Sequence, residues 1–462
     1  MSVGGPFEAR RGRFRFDAAE VPPAFRLAEI GQSRRFDLDL DVIADRLVLG
    51  SPPAGATVLR GVRATYTRPF PLERLDEATP ARTPLEAARR LRHGLERAVA
   101  HALQGATRAA VLTGGGVDSS ALLALAHAWA REHGATIFAV ALDFGGQGDD
   151  RPHLAALERH LSCEVVRVRP EDGAKRIDLL HRGVDAAPFT WPGGFMEVEA
   201  LARAKANGAE VVLTGVGADE IFDGDPRALA RIAMQSPLRG IRAARSMRGF
   251  DRPSWPVVEW VIRPLLARVQ PPMVRAWRHR RRRPELPAWA GPRLADRLES
   301  RERAPDQEPD ATPWEHPYHE HLAWLRHQED VAAGITCHPP FLERSLRALV
   351  RSFEPSWLLH AEIRRGLFRE AVRDLLPASL VGRTDKARFE LGLQRFLVAA
   401  GGFEMLRPLV SVRELSAAGL VVARRFQDAF AAFERAPDDG EQWANCWAVL
   451  AVEAFLRHRG AA

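Results

Sequence analysis

Residues 111–123 read VLTGGGVDSSALL: an apolar run, three glycines, a carboxylate, two hydroxyls and a second apolar run. The run leading into the glycines, RAAVLT (108–113), is apolar without polar alternation. A strand of that pattern is buried on both faces, and, where helices separate such strands, it implies a sheet covered on both sides. The pattern recurs in TIFAVALDF (136–144), EVVRV (164–168) and EVVLTG (210–215). Between them, SSALLALAHAWARE (119–132), PHLAALERHL (152–161) and MEVEALARAKANG (196–208) read as helices. This alternation predicts an α/β fold around a parallel sheet. In such sheets ligands bind beyond the carboxyl ends of the strands, and the glycine-rich stretches 113–117 and 215–217 fall at two of those ends.

The residue types of the first turn set its chemistry. Glycines let the backbone turn tightly and aim several N–H groups at one anion, and the positive end of the following helix adds to the field. The lysine-containing phosphate loop G-x-x-x-x-G-K-[ST] is absent. Asp118 stands there instead, and a carboxylate beside phosphates is tolerated only with a divalent cation between them. Ser119 and Ser120 add hydroxyls at the helix start. The second turn, LTGVGADEIFDGD (213–225), offers Asp219 from another strand end. Two carboxylates from two strand ends can hold one Mg²⁺ on a pyrophosphate.

Four motifs, in order over residues 111–389, carry a family resemblance. GGGVDSS is similar to the S-G-G-x-D-S pyrophosphate loop of the N-type ATP pyrophosphatases. LTGVGADEIFDGD resembles the S/T-G-x-G-x-D-E-x-F-x-G-Y stretch of the asparagine synthetase family. GITCHPPFLERSL (334–346) resembles that family's G-x-x-x-R-x-P-F-L-D, and RRGLFREAVRDLLPASLVGRTDKARF (364–389) its K-x-x-L-R-x-A…R-x-K tail. The resemblance implies a parallel-sheet PP-loop ATP pyrophosphatase domain, adenine nucleotide α-hydrolase-like, with a helical C-terminal part. It implies ATP and Mg²⁺ as cofactors, and a carboxylate substrate that attacks the α-phosphate, forms an acyl-adenylate and passes to an amine. Carried over residue by residue, Gly114, Gly115, Gly116, Ser119 and Ser120 match the phosphate loop. Asp118 and Asp219 match the Mg-pyrophosphate ligands, and Leu112, Val140, Thr214 and Gly215 match positions lining the adenosine. Lys386, one of only three lysines in a chain whose cations are otherwise arginine, matches the lysine that stabilises negative charge on the reacting centre.

The departures narrow the expectation. The chain begins Met1-Ser2-Val3 and its first cysteine is Cys163, so no glutaminase nucleophile is expected. Residues 1–82 are then a truncated, non-catalytic remnant of a glutaminase-type domain, and 83–462 the synthetase domain. The boundary is marked by the amphipathic helix TPLEAARRLRHGLERAVAHAL (83–103), with a Thr cap and Glu86 three residues on. Within the remnant, the FDLDLD alternation (36–41) reads as part of a strand-and-turn region. Val216 stands where asparagine synthetases have Glu and β-lactam synthetases Tyr. An apolar residue there supplies no base, and Gly114 replaces the first Ser of the loop.

These features resemble the natural-product branch of the family, in which lasso peptide cyclases close a macrolactam. There the attacking amine is tethered in the substrate, so proximity replaces a strong base. The resemblance thus implies a peptide substrate, with a leader-peptide-binding protein or protease as partner. Its alternative is a small carboxylic acid, handled as in an ammonia-dependent asparagine synthetase or a β-lactam synthetase.

The remaining features exclude rather than assign. No run approaches the length of a membrane span and the N-terminal stretch MSVGGPFEARRGRFRF has no apolar core of signal-peptide length, so a cytoplasmic protein without membrane partners is expected. Three scattered cysteines exclude a disulfide framework or a zinc ribbon. The net charge of +7 concentrates in RAWRHRRRRPELP (275–287), which reads as a solvated loop. It lacks the interleaved aromatics that base stacking needs, and nucleic acid is not an expected partner.

Overall fold

The computed structural model describes residues 14–33, 36–48, 55–66, 81–143, 150–223, 232–233, 236–246, 262, 286–302, 317–383 and 390–461. Lys386 and the arginine run 275–283 lie outside the described residues. In chain order the strands are β1 (Phe14–Ala18), β2 (Val21–Ala24), β3 (Arg63–Tyr66), β4 (Arg108–Thr113), β5 (Thr136–Leu142), β6 (Val165–Val168), β7 (Val211–Leu213) and β8 (Cys337–His338). The last five form one sheet in the order β6-β5-β4-β7-β8, and every pair in it is parallel. This is the α/β architecture that the apolar strands predict.

Successive residues of these strands feed two different cores. Ala109, Val111, Ile137, Ala139, Val211 and Leu213 point to one side, which the helices Pro84–Leu103 and Val117–His133 cover. Ala110, Phe138, Val140 and Val212 point to the other, covered by the helix Gly194–Ala206. In β4, β5 and β7 both sets of alternate positions are covered, so the interiors of these strands are apolar, whereas β6, at the sheet edge, exposes Arg167. Full burial of a side chain such as Phe138 or Leu213 contributes about 1.5–3 kcal/mol.

Topology then fixes where a ligand goes. The chain lays down β4, β5 and β6 in one direction, then returns across β4 to place β7 and β8 on its other side. The reversal lies between β4 and β7, where Val111 is in register with Leu213. Both glycine-rich turns leave the sheet there, at the crevice such a switch point creates.

Two local expectations shift in detail. The helix Pro84–Leu103 is capped by Thr83, whose Oγ1 accepts from Glu86 N at 3.2 Å. The Glu86 carboxylate reaches past the cap and accepts from Arg82 N at 2.9 Å. The FDLDLD alternation ends in a helix, Leu40–Leu47, because Asp39 Oδ1 accepts from the amides of Asp41 and Val42. A side chain that caps its own downstream amides outweighs a short alternating pattern.

β1–β3 form a separate antiparallel sheet, order β2-β1-β3. It packs into a core shared with the C-terminal helices: Phe14 and Phe16 lie edge-on to Trp324. Asp185, buried, accepts from Leu27 N and Ala28 N at 2.9 Å each and stands 2.7 Å from His327 Nε2. Asp45, also buried, pairs with Arg297 at 2.8 Å.

Candidate functional site

Gly116 precedes the helix Val117–His133, and no side chain caps that helix. Its first-turn N–H groups are therefore directed at the space above the turn, and an added Cβ on Gly116 would meet nothing within 4 Å. That is an open anion cradle at a helix N-terminus. Gly115 has φ +79°, and a Cβ there would stand 3.1 Å from the Asp150 carbonyl oxygen. Glycine is required on both counts. Hydroxyls tie the turn from beneath: Thr113 Oγ1 is 3.1 Å from Ser119 Oγ and accepts from Gly115 N at 3.4 Å.

The second turn meets the first. A Cβ on Gly215 would stand 3.5 Å from Ser119 N, and Thr214 N donates to His338 O at 2.9 Å. Gly217, φ +96°, lies so close to Leu342 that a Cβ would approach it to 2.4 Å. The segment 340–342 thus seats the second turn. Thr113, Gly114, Gly115, Gly116, Asp118, Ser119, Gly215 and Asp219 converge at the switch point. Val140 does not open onto it, since its side chain is packed in the core, with Leu112 half-buried against the same core. Ser120 is fully buried in the foot of the helix, its hydroxyl without a partner among the described residues.

The charges at this crevice are organised by arginine. The Arg365 guanidinium contacts three carboxylates: Nη1 meets Asp118, Nη2 meets Asp219 and Nε meets Asp223. Arg364 adds contacts to Asp223 and, at 3.3 Å, to Asp219. Arg365 is 7% exposed, and a buried guanidinium and carboxylates hold one another against desolvation. Below it, Arg369 donates to the carbonyls of Arg364, Val381 and Arg383. Burial lowers the Arg369 guanidinium from the usual arginine range; Asp118 opposes that shift and Arg365 adds to it. Arg383, buried, pairs with Asp150 at 2.6 Å and donates to Gly115 O at 2.8 Å. One arginine therefore clamps the glycine turn while another gathers the acids beside it.

These residues fit a divalent cation carried on phosphates. Among the described residues Asp118 Oδ1 is buried without a hydrogen-bond partner, and Asp118 and Asp219 approach a common cationic group from separate strand ends. Among the described residues, no group of three acidic, histidine or cysteine side chains could hold a metal ion unaided. Mg²⁺ takes one or two carboxylates and draws its other oxygens from water and phosphate.

Motif reading found the two acids and missed the arginines that arrange them. Arg365, Arg369 and Arg383 lie inside the 364–389 motif and Asp223 inside 213–225, but nothing in their spacing says which carboxylate each meets. Asp150 carried only a weak signal, an acid just ahead of Pro152 at a helix start.

No curated protein matches the chain. The family model for asparagine synthase matches residues 90–457, a span that holds the whole parallel sheet, both glycine turns and the arginine-clamped acids. Family chemistry is ATP-dependent amide-bond formation on a carboxylate, and no helix among the described residues is long and apolar enough to cross a membrane. On the strength of that match over most of its length, the chain belongs to the asparagine synthase family.

Proposed function

We propose that the protein adenylates a carboxylate with ATP, releases pyrophosphate, and joins the activated acyl group to an amine with release of AMP. One observation carries this reading. An uncapped glycine turn at the switch point stands beside Asp118 and Asp219, which reach one cationic group from two strand ends. Asp118 and Asp219 would hold Mg²⁺, which would neutralise the charge between carboxylates and phosphates.

In the first step a substrate carboxylate oxygen bonds to the α-phosphorus and the bond to the β,γ-pyrophosphate breaks. The glycine turn 114–116 and the helix N-terminus bind the leaving pyrophosphate. In the second step the amine nitrogen bonds to the acyl carbon, AMP departs with the C–O electron pair, and the amine gives up a proton. Lys386 stabilises the negative charge that develops in this step.

The amide is a macrolactam, formed between an Asp or Glu side chain of a peptide and the peptide's own N-terminal amine. Val216 supports this reading. It occupies the second turn and offers no base, as suits an amine held at high effective concentration by its own substrate. A leader-peptide-binding protein or protease would deliver such a peptide. Residues 1–82 are read as the remnant of a glutaminase-type domain, and 83–462 as the synthetase.

The test is an incubation with ATP, Mg²⁺ and either aspartate plus ammonia or a peptide with a free N-terminus and an internal acid. AMP, pyrophosphate and a peptide lighter by one water are expected from the second mixture alone. Asparagine from the first would assign the protein to small-acid amidation instead.

A further inference from the structure

We infer that Arg365 is a built-in counter-cation, whose guanidinium and a nucleotide-borne divalent cation compete for the same carboxylates. The inference rests on the reading of Asp118 and Asp219 as cation ligands. Its observation is separate: a single buried guanidinium uses all three of its nitrogens on Asp118, Asp219 and Asp223. A divalent cation bound to Asp118 and Asp219 must lie between them, where Nη1 and Nη2 of Arg365 now lie. The two cations exclude each other sterically and by charge, so loading the metal and withdrawing the arginine are one exchange.

The backbone is built for an arginine held under constraint. Arg365 has φ 59°, a left-handed conformation that a long L side chain rarely adopts. Such a conformation persists only where surrounding contacts over-determine it. Here those contacts are the three acids in front and Gly366 behind, where a Cβ would come within 1.8 Å of the His360 carbonyl oxygen. Arg369 fastens the same turn through the Arg364 carbonyl at 3.1 Å, and reaches the Arg383 carbonyl at 2.7 Å. Arg383 in turn holds Gly115 and Asp150. Withdrawal of Arg365 is thereby felt, through one shared arginine, at the clamp on the glycine turn. Arg365 is a positioning residue: it keeps the acids gathered and charge-balanced, and yields them when the metal arrives on its phosphates.

Mn²⁺ binding to the full-length protein, read by electron paramagnetic resonance without nucleotide, tests the exchange. Arg365→Met should bind Mn²⁺ roughly 5- to 150-fold more tightly than wild type, the usual range of coupling between two ligands of one protein. Adding Asp118→Asn to Arg365→Met should abolish the gain. Arg365→Met should also unfold at a lower temperature than wild type and recover with Mn²⁺, whereas wild type should respond little. Should Arg365→Met fail to fold, Arg365→Lys, which keeps one charge but loses the fork, should give an intermediate gain.

Equal Mn²⁺ affinity in wild type and Arg365→Met, both weakened by Asp118→Asn, would overturn the exchange and leave the acids as ligands. Affinity unaffected by Asp118→Asn in either background would overturn both.

Discussion

At the scale of single residues, Asp118 is the group on which most depends. It sits in the first turn of a helix whose N-terminus favours negative charge, yet one of its oxygens is buried with no partner among the described residues. Asp118→Asn keeps the shape and removes the charge, so ATP–pyrophosphate exchange should fall by about a hundredfold or more, the upper end of what disturbing a metal site costs. Lys386→Met should behave differently. Nucleotide binding, followed by calorimetry, should persist while amide formation falls by about 10²–10³-fold, as when one charge-stabilising donor is removed. A Lys386→Met variant with normal turnover would remove that residue from the mechanism.

Asp118, Asp219 and the glycines were legible in the sequence because their chemistry is local: one turn and one strand end define each. The arginines were not. In a chain with 66 cationic residues, no spacing rule separates the guanidinium at position 365 from the dozens that face water. Only the fold brings Asp118 and Arg365 together across 247 residues.

At the scale of elements, the strands and helices of the parallel sheet were readable because full burial leaves a continuous apolar signature that tolerates no ambiguity of face. Short elements were less so. The helix Leu40–Leu47 overrode an alternating pattern through one cap, and β8, two residues long, gains its place from pairing with β7 rather than from its own composition. The turns between elements bear the strictest constraints. Gly217 combines φ +96° with a Cβ position 2.4 Å from Leu342. Gly217→Ala should therefore destabilise the protein by about 1–3 kcal/mol from backbone strain alone, with the contact adding to it. Urea unfolding measures this directly, and an unchanged midpoint would mean that the turn relaxes without loss.

At the scale of the molecule, the N-terminal sheet and the C-terminal helices share one apolar core, drawn from both sides of the amphipathic helix that begins near residue 83. Cys446 reports on that core. Buried with Trp443 and Trp447 on the same helix, its thiol is pushed up to about 12 by burial. The unfolded thiol ionises near 9, so its contribution to stability is complete below that pH and is lost as pH rises through about 12. Between pH 9 and 12 the melting temperature of wild type should fall more steeply than that of Cys446→Ala. Parallel slopes would show that the thiol ionises without unfolding.

Adenylation at a site built from two strand ends is reversible, and passage of labelled pyrophosphate into ATP is its test. Exchange is expected to require a peptide acid and Mg²⁺, with AMP as the product nucleotide, and to be lost in both Asp118→Asn and Asp219→Asn. Exchange that survives those substitutions, or ADP and phosphate in place of AMP and pyrophosphate, would contradict it.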